Sequence, residues 1–124
     1  MATLSTTSPQ CEIASRTDPG RVRSANEDAV RFDANLGLAI LADGMGGYAA
    51  GEVASRMAVD EIFDELASAL PHLHAEPVSE DRAGLHEDMR FAATRANTSI
   101  IGAARREPDY EGMGSTLVLS LIHI

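Results

Sequence analysis

The chain has 124 residues, 44% of them apolar, and a formal charge of −9 at neutral pH. That length serves one domain, able to remove about two-thirds of its unfolded surface from water, and the apolar content excludes global disorder. The charge disfavours nucleic acid and anionic membrane as partners, and the absence of lysine excludes a complete Walker phosphate loop, a kinase-type phosphate-binding lysine and a lysine Schiff base.

Met1–Gln10 is rich in Ser and Thr and is expected to be a flexible tail, leaving residues 11–124 as the folded portion. The tail lacks the basic and apolar segments of a secretory signal. Cys11, the single cysteine, cannot form an intrachain disulfide, and no apolar stretch is long enough to span a bilayer. Together these features predict a soluble, cytoplasmic protein. Cys11–Ser15 reads as a short strand and Asp18-Pro19-Gly20 as a turn. Ala29–Asp33 reads as a strand leading through a turn near Ala34-Asn35 into Gly37–Ala42. That second run has no polar interruption, which predicts a strand buried on both faces and ending at Asp43.

From Gly51 the period becomes helical. Val59, Ile62, Phe63, Leu66 and Leu70 share one face, while Asp60, Glu61, Asp64 and Glu65 cover the other as a solvated surface. Pro71 is expected to end this helix, with His72 and His74 in the loop that follows. Leu85, Met89, Ala92, Ala96, Ile100 and Ala103 mark a second helix, closed before Pro108. Gly112–Ser115 forms a glycine loop, and Thr116–Ile122 reads as a buried strand. A buried strand needs neighbours and cover. Its place at the end of the sequence gives the expectation that the chain is the front part of a longer domain.

Three carboxylates carry chemistry: Glu27, Asp28 and Asp43. If Ala29–Asp33 and Gly37–Ala42 pair as a hairpin, Asp28 and Asp43 meet at the same end, with Arg23 in the loop that enters it. Carboxylate and carbonyl oxygens suit Mg²⁺ or Mn²⁺. The glycines after Asp43 would let a backbone carbonyl approach a cation, and an arginine beside it would grip a phosphoryl group. The arrangement points to metal-assisted hydrolysis of a phosphate ester. Taken singly, each piece reads as well as solvated surface or a turn residue.

Four blocks occur in order: Gly20-Arg21-Val22-Arg23-Ser24-Ala25-Asn26-Glu27-Asp28-Ala29, Leu41-Ala42-Asp43-Gly44-Met45-Gly46-Gly47, Gly51-Glu52-Val53-Ala54-Ser55 and Gly112-Met113-Gly114-Ser115-Thr116-Leu117. In residues and spacing the sequence resembles the metal-dependent protein Ser/Thr phosphatases of the protein phosphatase 2C family, in their short bacterial form. The resemblance runs from about residue 12 to residue 119, which is about half of the family's domain. It implies an α+β fold, part of a four-layer α-β-β-α sandwich with antiparallel sheets, and a two-metal Mn²⁺ or Mg²⁺ site. Asp43 would bridge both metals and Gly44 would lend its carbonyl. Glu27 and Asp28 would act directly or through water, and Arg23 would bind the substrate phosphate. The bridging hydroxide would attack phosphorus in line. Substrates would be phosphoserine and phosphothreonine in proteins, opposed by a Ser/Thr kinase.

Two departures accompany this resemblance. Met45 stands where some eukaryotic members place a histidine, so no general acid is assigned. The family's later metal-binding aspartates have no counterpart here. Two divalent ions bring a charge of +4, against −3 from Glu27, Asp28 and Asp43, so residues 1–124 alone are expected to bind Mn²⁺ weakly and turn over little substrate. Two other readings compete. One is a non-catalytic binding module or pseudophosphatase. The other is a dinucleotide-binding unit, suggested by Gly44-x-Gly46-x-x-Ala49 after an apolar strand. Against the latter, Asp43 would sit beside the pyrophosphate, and the region that should supply the ribose-binding acid is helical.

Overall fold

The computed structural model describes residues 2–7, 11–74 and 82–122. Strand β1 (Ala2–Thr7) pairs antiparallel with β2 (Glu12–Thr17), Ala2 opposite Thr17 and Thr7 opposite Glu12. The stretch expected to be a tail therefore contains a strand. Threonine favours extended backbone, and β2 offers a full edge for it to pair with. The turn expected at Asp18–Gly20 forms: the Asp18 carboxylate accepts the Gly20 N–H at 2.8 Å, and Gly20 takes a φ of +79°.

The main sheet is built on β4 (Leu38–Met45). β3 (Asp28–Asp33) lies on one side, and β5 (Gly114–Ser115) and β6 (Val118–Leu121) follow one another along the other; every pairing is antiparallel. The Ala34–Gly37 turn joins β3 to β4, with the Asp33 carboxylate accepting the Asn35 N–H at 2.8 Å. Antiparallel neighbours around β4 remove the parallel βαβ unit that a dinucleotide fingerprint requires.

Two helices complete the fold: α1 (Ala50–His74) and α2 (Arg82–Arg106), followed by a single 3₁₀ turn at Pro108–Tyr110. Helix α1 lies across β3 and β4, and α2 packs on α1. The predicted apolar stripes form the core. Leu38, Ile40 and Ala42 face Ala54, Val59, Ile62 and Leu66, and Leu85, Ala92, Ala96, Ile100 and Ala103 close it from α2. Helix α1 runs past Pro71 to His74. A proline removes one backbone donor, and the helix continues for three residues beyond it. Among the described residues no helix is long and apolar enough to cross a membrane.

The strands depart from expectation in two further ways. β4 is buried on one face only: Leu38, Ile40, Ala42 and Gly44 are covered, while Leu41 and Met45 are 50% and 57% exposed. The run after Gly112 is two short strands rather than one buried strand, and Val118 is 60% exposed. The acidic face of α1 is also more than solvated surface. Arg31 reaches Asp60 at 3.2 Å and Asp64 at 3.3 Å while stacking 3.9 Å above the Phe63 ring, and Arg95 reaches Glu65 at 3.2 Å. These partly exposed pairs contribute about 0.2–1 kcal/mol each and link β3 and α2 to α1.

β4 continues through Asp43 to Met45 and there meets the start of α1. A Cβ on Gly44 would collide with the carbonyl oxygen of Gly51 and lie 2.6 Å from its carbonyl carbon. Gly47 has nothing within 4 Å of its own Cβ position. Gly44→Ala is therefore expected to lower the unfolding free energy by about 1–3 kcal/mol in urea denaturation, the usual cost of overpacking. Gly47→Ala, three residues further along the chain and beyond the strand, should stay within about 0.5 kcal/mol of wild type.

Candidate active site

The β3–β4 register places Asp28 opposite Asp43. The two acids, fifteen positions apart in sequence, thus meet at the open end of the hairpin, as the hairpin reading expected. Both are exposed, on the sheet face away from the helices, while the neighbouring Ala29 and Ala42 point into the core. Strand alternation explains the division: with a period of two, burying Ala29 and Ala42 turns Asp28 and Asp43 outward.

Asn26 sets the entry to β3. Its amide nitrogen donates to the Thr17 hydroxyl at 2.6 Å, and its amide oxygen accepts the Asp28 N–H at 3.1 Å. One side chain therefore ties the loop to β2 and orients the backbone of Asp28. The Glu27 carbonyl accepts the Gly44 N–H at 3.0 Å, extending the hairpin by one bond beyond the acid pair.

The Glu27 side chain takes a different direction from the two aspartates. Its carboxylate carbon would lie 2.7 Å from a Cβ on Gly51, so it rests against the first turn of α1. A carboxylate is favoured there by the partial positive charge of the helix start, and only glycine leaves room for it. Among the described residues, no three His, Cys, Asp or Glu side chains are grouped for one ion. The structure thus brings Asp28 and Asp43 together, keeps Glu27 close beside them, and leaves Gly44 locked between Glu27 and Gly51.

The pair is electrostatically strained. The Asp28 carboxyl is raised from its ordinary value, first by the partial loss of water around it at the strand end, then by the charge of Asp43 and hydrogen bonding to it. Glu27 adds to the rise and Arg23 opposes it, which places the Arg23 charge within reach of Asp28. Two like-charged carboxylates resist ionising together, so a proton or a cation is needed between them. All the donors are oxygens, the set that a hard divalent ion prefers.

Sequence reasoning passed over Ser115 and Thr116, which hold Asp43 in place. The Asp43 N–H donates to Thr116 Oγ1 at 3.0 Å, and the Asp43 carbonyl accepts the Thr116 N–H at 2.8 Å. Ser115 Oγ approaches the same carbonyl at 3.4 Å. The only sequence signal was the block Gly112–Leu117 itself, since Thr116 lies 73 positions from its partner. Beyond Asp43, the loop turns into α1 through Tyr48 and Ala49, both at positive φ, 52° and 63°. Tyr48 is 90% exposed. Cys11 is half-buried and bears no disulfide.

No protein-family model matches the chain. Among curated proteins, it is 42% identical over 119 residues to the serine/threonine protein phosphatase PstP of Mycobacterium tuberculosis, covering 90% of this chain and 21% of that one. It is 37% identical over 110 residues to the serine/threonine phosphatase Stp of Listeria monocytogenes, covering 86% of this chain and 41% of that one. The crystal structure of the M. tuberculosis phosphatase matches 98% of the chain with a TM-score of 0.63 and 37% identity. A structure of the PstP catalytic domain in complex with two manganese ions matches with a TM-score of 0.61. The chain spans less than half the length of these relatives. Over the residues they share, the α+β architecture of two helices on an antiparallel sheet is that of a phosphatase domain, and the chain is a homologue of the protein phosphatase 2C-type Ser/Thr phosphatases.

Proposed function

We propose that the protein hydrolyses phosphoserine and phosphothreonine in protein substrates with the help of Mn²⁺ or Mg²⁺. The observation that carries this reading is the placement of Asp28 opposite Asp43 at an exposed strand end, where the Arg23 charge also acts on Asp28. Asp43 and Asp28 would hold the cations, with Glu27 contributing through water and Gly44 through its carbonyl. Bound there, the cations supply an activated water and offset charge on the phosphoryl group. The chain's own residues do the rest. Arg23 grips the phosphate with its planar fork and orients it toward the acids. Asp28 and Asp43 would hold a cation as carboxylates, so binding there would compete with protonation of Asp28. Met45 offers no proton to a leaving alkoxide, so none is assigned to it. Residues 1–124 alone bind Mn²⁺ weakly, because two aspartates and one offset glutamate do not balance two divalent charges. An opposing Ser/Thr kinase and a cytoplasmic setting fit the same reading.

Three outcomes test it in the native full-length protein. With a phosphothreonine peptide and MnCl₂, phosphate release should be abolished by chelation. Asp43→Asn should lower kcat by at least about 100-fold, the scale of losing a principal charge-stabilising group. A variant with undiminished turnover would end the proposal.

Arg23→Ala should raise KM for the phosphopeptide about tenfold, as expected when a charged hydrogen bond to phosphate is lost. Its Mn²⁺ affinity should stay near that of wild type. Equal loss of metal binding would assign Arg23 to the metal rather than to the substrate.

The third outcome concerns pH. Because the folded-state value of Asp28 is raised, its stabilising contribution without cation is complete below the ordinary aspartate value and lost as pH rises through the folded value. Thermal melts in chelator should therefore show stability falling across that window, and Asp28→Asn should flatten the fall. Mn²⁺ affinity should run the opposite way, rising with pH as the proton leaves.

A further inference from the structure

Asp43 occupies a difficult place. It is exposed, faces a second carboxylate, and lies shortly before Gly46 and Gly47, where β4 has ended. What fixes it comes from far along the chain. β4 pairs Gly44 with Ser115 and Leu41 with Val118, and this common register sets Asp43 opposite Thr116. A regular antiparallel pair at this position would exchange two backbone bonds. Only one forms as a ladder bond: the Thr116 N–H donates to the Asp43 carbonyl at 2.8 Å. The Asp43 N–H donates instead to the Thr116 hydroxyl at 3.0 Å. The Thr116 carbonyl is taken by the Ser115 hydroxyl at 2.8 Å. Strand pairing is interrupted at Thr116 and Leu117, between β5 and β6. The sheet thus gives up one ladder bond at the position opposite Asp43, and a side-chain oxygen takes its place.

We propose that Thr116 is a positioning residue for Asp43: its hydroxyl, in place of a ladder carbonyl, sets the direction of the Asp43 amide and so aims the carboxylate toward Asp28 and a divalent cation. Asp43 and Thr116 are both exposed, so water would satisfy either group if the bond were absent. The bond therefore adds little to stability, and its effect lies in direction. Local breaks in strand pairing beside a site commonly re-aim a side chain in this way. Without the hydroxyl, the Asp43 N–H would turn to water, and the strand end would lose this tether on its direction. The inference rests on the reading of Asp43 as a metal-holding residue.

The test is calorimetric Mn²⁺ titration of the native full-length protein and its Thr116→Val, Thr116→Ser and Asp43→Asn variants, with melting temperatures measured alongside. Thr116→Val keeps the shape and removes the acceptor. It should weaken Mn²⁺ binding about tenfold, the scale for groups that orient a ligand, with little change in melting temperature. Thr116→Ser should restore binding to within about threefold of wild type. If Thr116→Val does not fold, Thr116→Ala carries the same comparison. Wild-type affinity in the Val or Ala variant would overturn the proposal, as would a Ser variant that binds no better than they do. Asp43→Asn separates the two levels. Unchanged Mn²⁺ binding there would remove the metal reading itself, and with it the role of Thr116. Loss of binding in Asp43→Asn with no loss in Thr116→Val would overturn the positioning role alone.

Discussion

The contact on which the site depends is the approach of Gly44, at the end of β4, to Gly51, at the start of α1. Neither position tolerates a side chain: one would strike the Gly51 carbonyl, the other the Glu27 carboxylate. This closeness lets the chain leave the sheet, reverse through Gly46–Ala49 and begin a helix that lies back across the same sheet. It also delivers the helix start to Glu27 and keeps the Gly44 N–H on the Glu27 carbonyl. Fold and site therefore share one joint. The core residues Ala42, Ala50 and Ala54 are small on either side of it, as close backbone packing requires.

From this joint the electrostatics follow. Asp28 and Asp43 are forced together by register, although their charges oppose it. The core of the sheet offsets that cost, with a small addition from the Arg31 contacts to Asp60 and Asp64, while the bonds from Asn26 and Thr116 direct each aspartate's backbone. On the proposed reading, an acid pair that is unfavourable without a cation and held by strand register would act as a preorganised cation site. The penalty is met in folding, so it need not be met again when a ligand arrives.

Much of this was legible in the sequence because it depends on local pattern. The apolar spacing from Val59 to Leu70 and from Leu85 to Ala103 gave both helices. Asp28 and Asp43 stand at the outer ends of the two strands of one hairpin, so the strand limits alone place them at the same end. The parts that were not legible depend on distant partners. Gly37–Ala42 contains no polar residue, so its sequence does not reveal that Leu41 stands on an open face. The Ser/Thr composition of residues 2–7 suits a tail as well as a strand, and only β2 decides between them. Asp60, Asp64 and Glu65 look like ordinary helix surface until Arg31 and Arg95 arrive from other elements. Thr116 was invisible as a partner because its role is to replace a ladder bond, which has no signature in composition.

The turn between β3 and β4 has a consequence of its own. Surface turns usually accept insertions, since they carry few obligations. The four residues Ala34–Gly37 are different, because their number sets which residue faces Asp43. One added residue that shifted the pairing by a single step would put Asp28 out of line with Asp43 and drive the strand's inward residues to the open face. The acids would survive in the sequence and be lost as a pair. Turn length is thus heritable information about the site, as specific as the aspartates themselves, and an alignment that scored only the acidic residues would miss it.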